Sequence, residues 1–257
     1  MALFKCSFFS QYLAYTTQIN VFIPDDSDWR HGETDKKYKV LYLLHGRGDH
    51  CDSWVQNSQV AVYAQEHQIA VIMPTAEDSF YVDGVSGKRY FSYLTEELPK
   101  FIGKHFQLSD RPEDTYIAGL SMGGYGALKI GLTYPERYQA IGIFSAAVRP
   151  DHMPDFHDND LDRAIIRDNL RRTIGEGELR SEDNPYSLLA MQLEKRKAIP
   201  VICQYIGTED FLYEMNQDFR KHLSESGIAT CYDEWEGIHD WHFWNVAIEK
   251  FMNQIEK

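Results

Sequence analysis

The sequence contains few cysteines, no long hydrophobic run and fewer basic than acidic residues. Its four cysteines form neither a C-x-x-C pair nor a zinc-finger spacing, which excludes a disulfide-stapled miniprotein and favours reduced thiols. The apolar runs, such as Ala140–Val148, are far too short to cross a bilayer. The N-terminus lacks the charged start and the apolar stretch of a signal peptide. We therefore expect a cytoplasmic protein without membrane insertion.

The charge balance restricts the choice of partners. Lysine and arginine number 26 against 39 aspartates and glutamates, which gives a formal net charge of −13. An acidic surface of that size argues against nucleic acid and anionic membranes as main partners. Composition is otherwise that of a globular protein, with 43% hydrophobic and 25% charged residues. The sequence leaves homo-oligomerisation open.

Short apolar runs alternate with helical patterns along the chain. This alternation predicts a mainly parallel sheet with helices on both faces, in one α/β domain over residues 1–257. The predicted strands are Thr17–Ile23, Val40–Leu44, Ala70–Met73, Tyr116–Ala118, Ala140–Ser145 and Val201–Ile206. The predicted helices are Ser58–Gln65, Leu94–His105, Tyr125–Tyr134, Asn216–Ser226 and Trp244–Ile255.

One charged segment, Arg149–Lys197, interrupts the alternation. It is too long for a plain crossover loop, so we predict an inserted cap over the carboxyl ends of the strands, with a peripheral decoration as the alternative. Its predicted helices are Leu161–Thr173 and Tyr186–Lys197. The acidic run Asp158–Asp162 lacks the glycine and the terminal glutamate of a calcium loop, and we interpret it as a solvated helix start.

The strongest motif is G-L-S-M-G at residues 119–123. It follows an apolar strand pattern and precedes a helical one, which is the strand–turn–helix context of a G-x-S-x-G nucleophile. Glycines two residues either side of Ser121 relieve the crowding of a strained turn. The backbone N–H of Met122 then lies at a helix N-terminus, where it can stabilise a developing oxyanion. We predict Ser121 as the nucleophile.

The H-G-R-G stretch at residues 45–48 follows an early buried strand. In hydrolases with a G-x-S-x-G motif, the loop after such a strand supplies the second oxyanion donor, so the candidate is the backbone N–H of Arg47. His45 could act as a base, but its position beside Gly46 favours a structural hydrogen bond.

Serine needs a base, and the base needs an acid that fixes its tautomer. In these hydrolases the chain order is serine, acid, histidine. Asp210 lies just past the predicted strand Val201–Ile206, and Glu209 is its nearest competitor. His239 lies on a predicted loop before the last helix and is favoured over His242, which falls at the helix start. The two histidines could also bind a metal, but no third ligand is nearby in sequence, and no metal or cofactor is expected.

Four sequence blocks together resemble one known family. They are L-L-H-G at 43–46, G-L-S-M-G-G-Y-G-A-L at 119–128, G-T-E-D at 207–210 and G-I-H-D-W-H-F-W at 237–244. The chain is similar to the esterase D branch of the α/β-hydrolases, which includes tributyrin esterases, S-formylglutathione hydrolases and, more distantly, antigen 85 mycolyltransferases. The likeness extends from about Thr17 to the C-terminus and is closest to the tributyrin esterases.

This resemblance implies an α/β-hydrolase fold and a serine carboxylesterase acting on short acyl esters of small molecules. It implies Ser121, Asp210 and His239 as the triad, with Arg47 and Met122 as the oxyanion donors. One departure lowers the expectation of a glutathione thioesterase. Where S-formylglutathione hydrolases carry L-T-C-T-D-E-N-F after the H-G pair, this chain carries R-G-D-H-C-D-S-W.

The sequence also gives expectations about the substrate pocket and leaves alternative functions. The charged cap offers little apolar surface for a long acyl chain, so we expect a short pocket. Trp54, Trp241 and Trp244 are candidates for its walls, although tryptophans also fill cores. A thioesterase, a deacetylase of acylated sugars and a non-catalytic binding protein are the alternatives. A binding protein needs no intact serine, aspartate and histidine, which argues against it.

Overall fold

The computed structural model describes residues 1–25, 37–154 and 160–256, except for the side chains of 160–163. Within this part of the chain, eight strands form one sheet. The strands are β1 (Ala2–Ser10), β2 (Tyr15–Ile23), β3 (Lys39–Leu44), β4 (Ile69–Pro74), β5 (Thr115–Leu120), β6 (Ala140–Phe144), β7 (Val201–Gly207) and β8 (Thr230–Trp235). Their order is β1-β2-β4-β3-β5-β6-β7-β8. The first two pairings are antiparallel and the other five are parallel.

Helices cover both faces of this sheet. They are α1 (Ser53–Asn57), α2 (Val60–Glu66), α3 (Tyr90–Ser92), α4 (Leu98–His105), α5 (Met122–Thr133), α6 (Asp160–Thr173), α7 (Pro185–Glu194), α8 (Tyr213–Glu225) and α9 (Trp241–Ile255), with a π-helical turn at Tyr93–Glu97 and 3₁₀ turns at Pro112–Asp114, Pro135–Arg137 and Pro150–His152. One core cluster contains residues of α4, α5, α7 and α8, and a second contains residues of α1, α2 and α9. Among the described helices, none has the length and apolar character that a membrane span requires.

The predicted α/β class with a mainly parallel sheet is confirmed. Every residue of β4 and β6 is buried, as expected for strands that carry helices on both faces. All six predicted strands are present, with ends that differ by a few residues.

The sequence interpretation missed the two outer strands, β1 and β8. Both lie at a sheet edge, where one side of the strand faces solvent and tolerates charge. Lys5 on β1 and Asp233 and Glu234 on β8 therefore obscure the pattern of a buried strand. Helix α9 also begins earlier than predicted, at Trp241, because the Asp240 carboxylate accepts a hydrogen bond from the Phe243 N–H, 3.0 Å away, and caps it.

The segment 149–197, which lies between β6 and β7, is anchored to α5. The Tyr125 hydroxyl donates to the carbonyl oxygen of Asp183 over 2.6 Å, and Gln192 donates to the carbonyl of Leu132 over 2.8 Å. Lys129 forms a buried ion pair with Asp183 at 2.9 Å, and burial lowers the pKa of this lysine. The predicted helices correspond to α6 and α7, while Asp158 and Asn159 lie outside the described residues. This segment is thus held against the helix that begins after Ser121.

Candidate functional site

Ser121 lies on a strained turn between β5 and α5. Its φ of 52° and ψ of −115° fall in a region that residues with a Cβ rarely occupy. The backbone around it is fixed by hydrogen bonds: its N–H donates to Phe144 O at 2.8 Å, and its carbonyl accepts from Ala147 N at 3.1 Å. This is the strand, sharp turn and helix that the motif predicts.

The glycines on either side are required by close backbone contacts. A Cβ on Gly119 would lie 2.4 Å from backbone atoms of Gly123, and a Cβ on Gly123 would lie 2.5 Å from the Leu44 carbonyl oxygen. No side chain fits at these distances. The turn can therefore press against β3, which places Ser121 beside the loop that carries Arg47.

Asp210 and His239 meet at the carboxyl ends of β7 and β8. Nδ1 of His239 lies 2.9 Å from Oδ2 and 3.1 Å from Oδ1 of Asp210. The Asp210 side chain is fully buried, and its Oδ1 also accepts from the Leu212 N–H at 2.8 Å. Glu209, the competing acid, is exposed and contributes its backbone N–H to Gly237 O at 3.0 Å.

Aromatic rings fix the orientation of the His239 imidazole. The Phe211 ring centroid lies 4.5 Å away, and the Trp244 ring meets the imidazole edge-on at 4.9 Å. Trp244 is itself held by a 3.1 Å hydrogen bond from Nε1 to the Ser145 hydroxyl. The alternative base, His242, is exposed and lines a separate cavity with Trp241 and Asn245.

His45 has the structural role that the sequence favoured. Its Nε2 accepts from the Ala76 N–H at 2.9 Å, so the proton lies on Nδ1, which is 2.7 Å from the Gly46 carbonyl. Burial lowers the pKa of His45 to about 4 and keeps the ring neutral. The imidazole therefore connects the loop that carries Arg47 to the turn that follows β4.

Ser121 and His239 line one small cavity of about 150 Å³. Arg47 and Met122, whose backbone N–H groups are the predicted oxyanion donors, line it as well. Met122 is the first residue of α5, so the helix offers its N–H no internal acceptor. The remaining lining residues are Gly46, Asp49, Phe80, Leu120, Ala147, Met153, Phe211 and Trp244.

The prediction of three tryptophan walls needs correction. Trp244 lines the cavity, whereas Trp54 and Trp241 do not. Trp54 is 1% exposed and packs in the second core cluster, where its Nε1 donates to the Leu44 carbonyl at 3.1 Å. Trp54 thus fills the core, as buried tryptophans with a satisfied N–H do. Trp241 packs edge-on against it with ring centroids 5.1 Å apart.

A second, larger cavity of about 580 Å³ adjoins the first, and we call it the polar cleft. Asp49 lines both cavities, and burial raises the pKa of its carboxyl group. No motif pointed to this cleft, because its residues come from distant parts of the chain. Most of its lining residues have polar side chains. The lining consists of Gly48, Asp49, Glu77, Asp78, Ser79, Val82, Gly84, Ser86, Lys88, Tyr90, Asn169, Arg172 and Thr173.

One group of side chains has the composition of a metal site. Ligand atoms of His50, Cys51 and Asp52 lie within 4.8 Å of one another. Asp52, however, is engaged by Lys5 at 2.6 Å and by Asn20 at 2.7 Å. This group therefore carries no metal assignment.

A serine on a strained turn after a central strand, followed by an aspartate–histidine pair at the ends of two later strands, defines the class of α/β-hydrolases. Within this class, the "Putative esterase" family model matches residues 10–254, and the chain belongs to that family. The protein is a carboxylic ester hydrolase of the serine type.

Individual relatives agree with this membership. The acetyl esterase of Caldicellulosiruptor saccharolyticus is 31% identical over 263 residues, covering 100% of this chain and 99% of the relative. The solved structure of FphF, a fluorophosphonate-binding serine hydrolase of Staphylococcus aureus, has 29% identity and a TM-score of 0.89, covering 100% of this chain and 98% of its own. The solved structure of the S-formylglutathione hydrolase FrmB of Staphylococcus aureus has 30% identity and a TM-score of 0.85, and the match covers 100% of this chain and 99% of FrmB.

Proposed function

We propose that this esterase hydrolyses short-chain acyl esters through an acyl-enzyme on Ser121, with His239 as the base and Asp210 as the orienting acid. The observation that carries the proposal is the 2.9 Å bond between His239 Nδ1 and Asp210 in a site whose cavity is shared by His239 and Ser121. The buried carboxylate holds the proton on Nδ1, so Nε2 is free to accept the serine proton.

The reaction then follows from the arrangement. His239 Nε2 takes the Ser121 proton as Oγ attacks the acyl carbon, and the carbonyl oxygen becomes an oxyanion. The N–H groups of Arg47 and Met122 stabilise that charge, the second with the help of the α5 dipole. The tetrahedral intermediate expels the alcohol, which receives the proton from His239. Water then repeats the same steps on the acyl-enzyme and releases the acid.

Cavity size supports a short acyl group. The cavity shared by Ser121 and His239 is small, about 150 Å³, which favours a short acyl chain over a long one. The site lining supports the same conclusion, since Phe80, Phe211 and Trp244 enclose the cavity with large rings.

We also propose that the insertion acts as a cap. Met153 lines the small cavity, and Asn169, Arg172 and Thr173 line the polar cleft. The C-terminal end of α6 is tied to the cleft wall through backbone bonds from Val85 to Thr173 and from Ser86 to Arg172, both 3.2 Å. The cap therefore contributes more residues to the polar cleft, which would bind the alcohol part of the ester, than to the small cavity, which would bind the acyl part.

A second candidate is deacetylation of a polar alcohol such as a sugar. The polar cleft meets the reaction cavity at Asp49 and offers hydroxyl, amide and charged groups to a hydroxylated leaving group. The acetyl esterase relative supports an acetyl substrate, and the FrmB similarity supports a thioester.

An ester panel separates these candidates. We expect kcat/KM to be highest for acetyl to butyryl esters, with p-nitrophenyl esters reporting acyl length. Acetylated xylose and S-formylglutathione, each at equal concentration, compare the leaving groups. A higher kcat/KM for the thioester than for the carboxylic esters would contradict the proposal that short-chain acyl esters are the preferred substrates.

A further inference from the structure

Cys203 and Cys231 lie side by side on the last two strands of the described sheet. They are direct register partners between the parallel strands β7 and β8. Their Sγ atoms are 2.7 Å apart. Residues paired in this way point to the same face of the sheet, so the two thiols converge in one place.

The backbone spacing at this position suits a disulfide. Neighbouring strands are about 4.8 Å apart, and a disulfide accepts Cα separations of roughly 4.4–6.8 Å. A metal fits less well, because two thiolates on a tetrahedral zinc ion at about 2.3 Å would stand roughly 3.8 Å apart.

We propose that Cys203 and Cys231 are a specific oxidisable pair that forms a disulfide between β7 and β8. The bond joins the strand that leads to Asp210 with the strand that leads to His239. The bond should stabilise β8, the strand that leads to His239, more than β7. The reason is that β8 is the outermost strand of the described sheet and pairs there with β7.

The chemistry is a two-electron oxidation by a peroxide. The more accessible thiol is Cys231, which is partly exposed, whereas Cys203 is 1% exposed. The Cys231 thiol loses its proton, and its Sγ attacks one peroxide oxygen. The O–O bond breaks, and the hydroxide that leaves takes up the proton released by the thiol to form a first water, so that a sulfenic acid remains on Cys231. Cys203 Sγ then attacks Cys231 Sγ and displaces hydroxide, which takes the Cys203 proton and leaves as a second water.

The other two cysteines are separated from this pair. Cys6 lies on β1, with five strands between it and β7 in the sheet order, and Cys51 is buried in the loop after β3. The oxidation should therefore be confined to one pair and should not produce mixed products.

The first test counts thiols. The full chain is treated with hydrogen peroxide and then denatured, and its free thiols are titrated; we expect a fall from four thiols to two. Peptide mapping should recover the Cys203–Cys231 crosslink. The double variant Cys6→Ser/Cys51→Ser is the matched control and should fall from two thiols to none. Retention of all four thiols, or a crosslink that contains Cys6 or Cys51, would overturn the proposal.

The second test measures stability. Closing the chain segment between the two cysteines should raise the Tm of the oxidised protein by roughly 5–10 °C over the reduced protein. Esterase activity at ordinary temperature should be unchanged, while its half-life on heating should lengthen. Cys231→Ser, at the partly exposed position, should show no peroxide-dependent Tm shift. An equal shift in that variant would contradict a disulfide at this site.

Discussion

The two cavities that meet at Asp49 differ in size and in lining. The one that holds Ser121 and His239 measures about 150 Å³, and aromatic rings form much of its wall. The polar cleft measures about 580 Å³ and carries acidic, basic and hydroxyl side chains. The first is built from strand ends and the second from loops and α6 of the insertion.

From this difference we propose separate tasks for the two regions. The turn that carries Ser121 into the small cavity is closely packed, because a Cβ on Gly119 would meet the backbone of Gly123 and a Cβ on Gly123 would meet the Leu44 carbonyl. The small cavity suits the acyl group and the chemistry. The polar cleft suits the alcohol, and its composition can vary without disturbing the strand ends.

The largest effect should come from the base. His239→Ala should lower kcat by about a millionfold, as removal of a triad histidine does elsewhere. His242→Ala is the matched control and should keep most of the activity, because His242 is exposed and lines a different cavity. Steady-state kinetics with p-nitrophenyl acetate measure both. If His242→Ala were the inactive variant, the small cavity would not be the reaction site.

A smaller loss is expected at the acid. Asp210→Asn keeps the shape of the side chain but favours the wrong tautomer of His239, which costs on the order of 10⁴ in kcat in a comparable triad. Glu209→Gln is the control, because that residue is exposed. The assignment of Asp210 as the acid would be contradicted if Glu209→Gln lost as much activity as Asp210→Asn.

Acyl length tests the small cavity directly. For p-nitrophenyl esters, kcat/KM should peak between acetate and butyrate and fall by on the order of a hundredfold at octanoate, since a small cavity lined by large rings favours a short chain. A rate series at fixed enzyme concentration measures this. A maximum at laurate or palmitate would show that the acyl chain extends beyond this cavity.

Buried His45, on the loop between the two cavities, should make the free energy of unfolding depend on pH. The pKa of His45 is lowered from about 6.5 to about 4 by burial, so the unfolded chain binds a proton at pH values where the folded chain does not. The His45 contribution is therefore complete above about pH 6.5 and is lost as the pH falls toward 4, by on the order of 3 kcal/mol. Urea unfolding of the wild type and His45→Gln across this range should show a flatter profile in the variant. Parallel profiles would contradict a neutral buried His45.

The smallest effect should arise in the polar cleft. Arg172→Ala should raise KM for an acetylated sugar severalfold, roughly the effect of one lost exposed polar contact. The kcat/KM for p-nitrophenyl acetate should stay unchanged, because this alcohol does not need the cleft. Arg171→Ala, next to it and outside the cleft lining, is the control. An equal change in the kinetic constants for both substrates would contradict the proposal that the cleft binds the alcohol part of the ester.

The extent to which sequence predicted this molecule depends on where the signal lies. The turn at Ser121 was predictable because glycine spacing, strand and helix are adjacent in the chain. The contact between Asp210 and His239 was predictable because both residues follow strand ends in a known order. The polar cleft was not, since Asp49, Lys88 and Arg172 come from separate segments with no shared motif. Trp54 was misplaced because a tryptophan pattern does not distinguish a pocket wall from a core.

The most direct test of the account is covalent labelling with a fluorophosphonate followed by peptide mapping. The reagent reacts with a serine that a neighbouring base has activated. We expect one label per chain, located on Ser121, with labelling lost in Ser121→Ala while the folded state, measured by circular dichroism, is retained. A label on another serine, or undiminished labelling of Ser121→Ala, would contradict the assignment of Ser121 as the nucleophile.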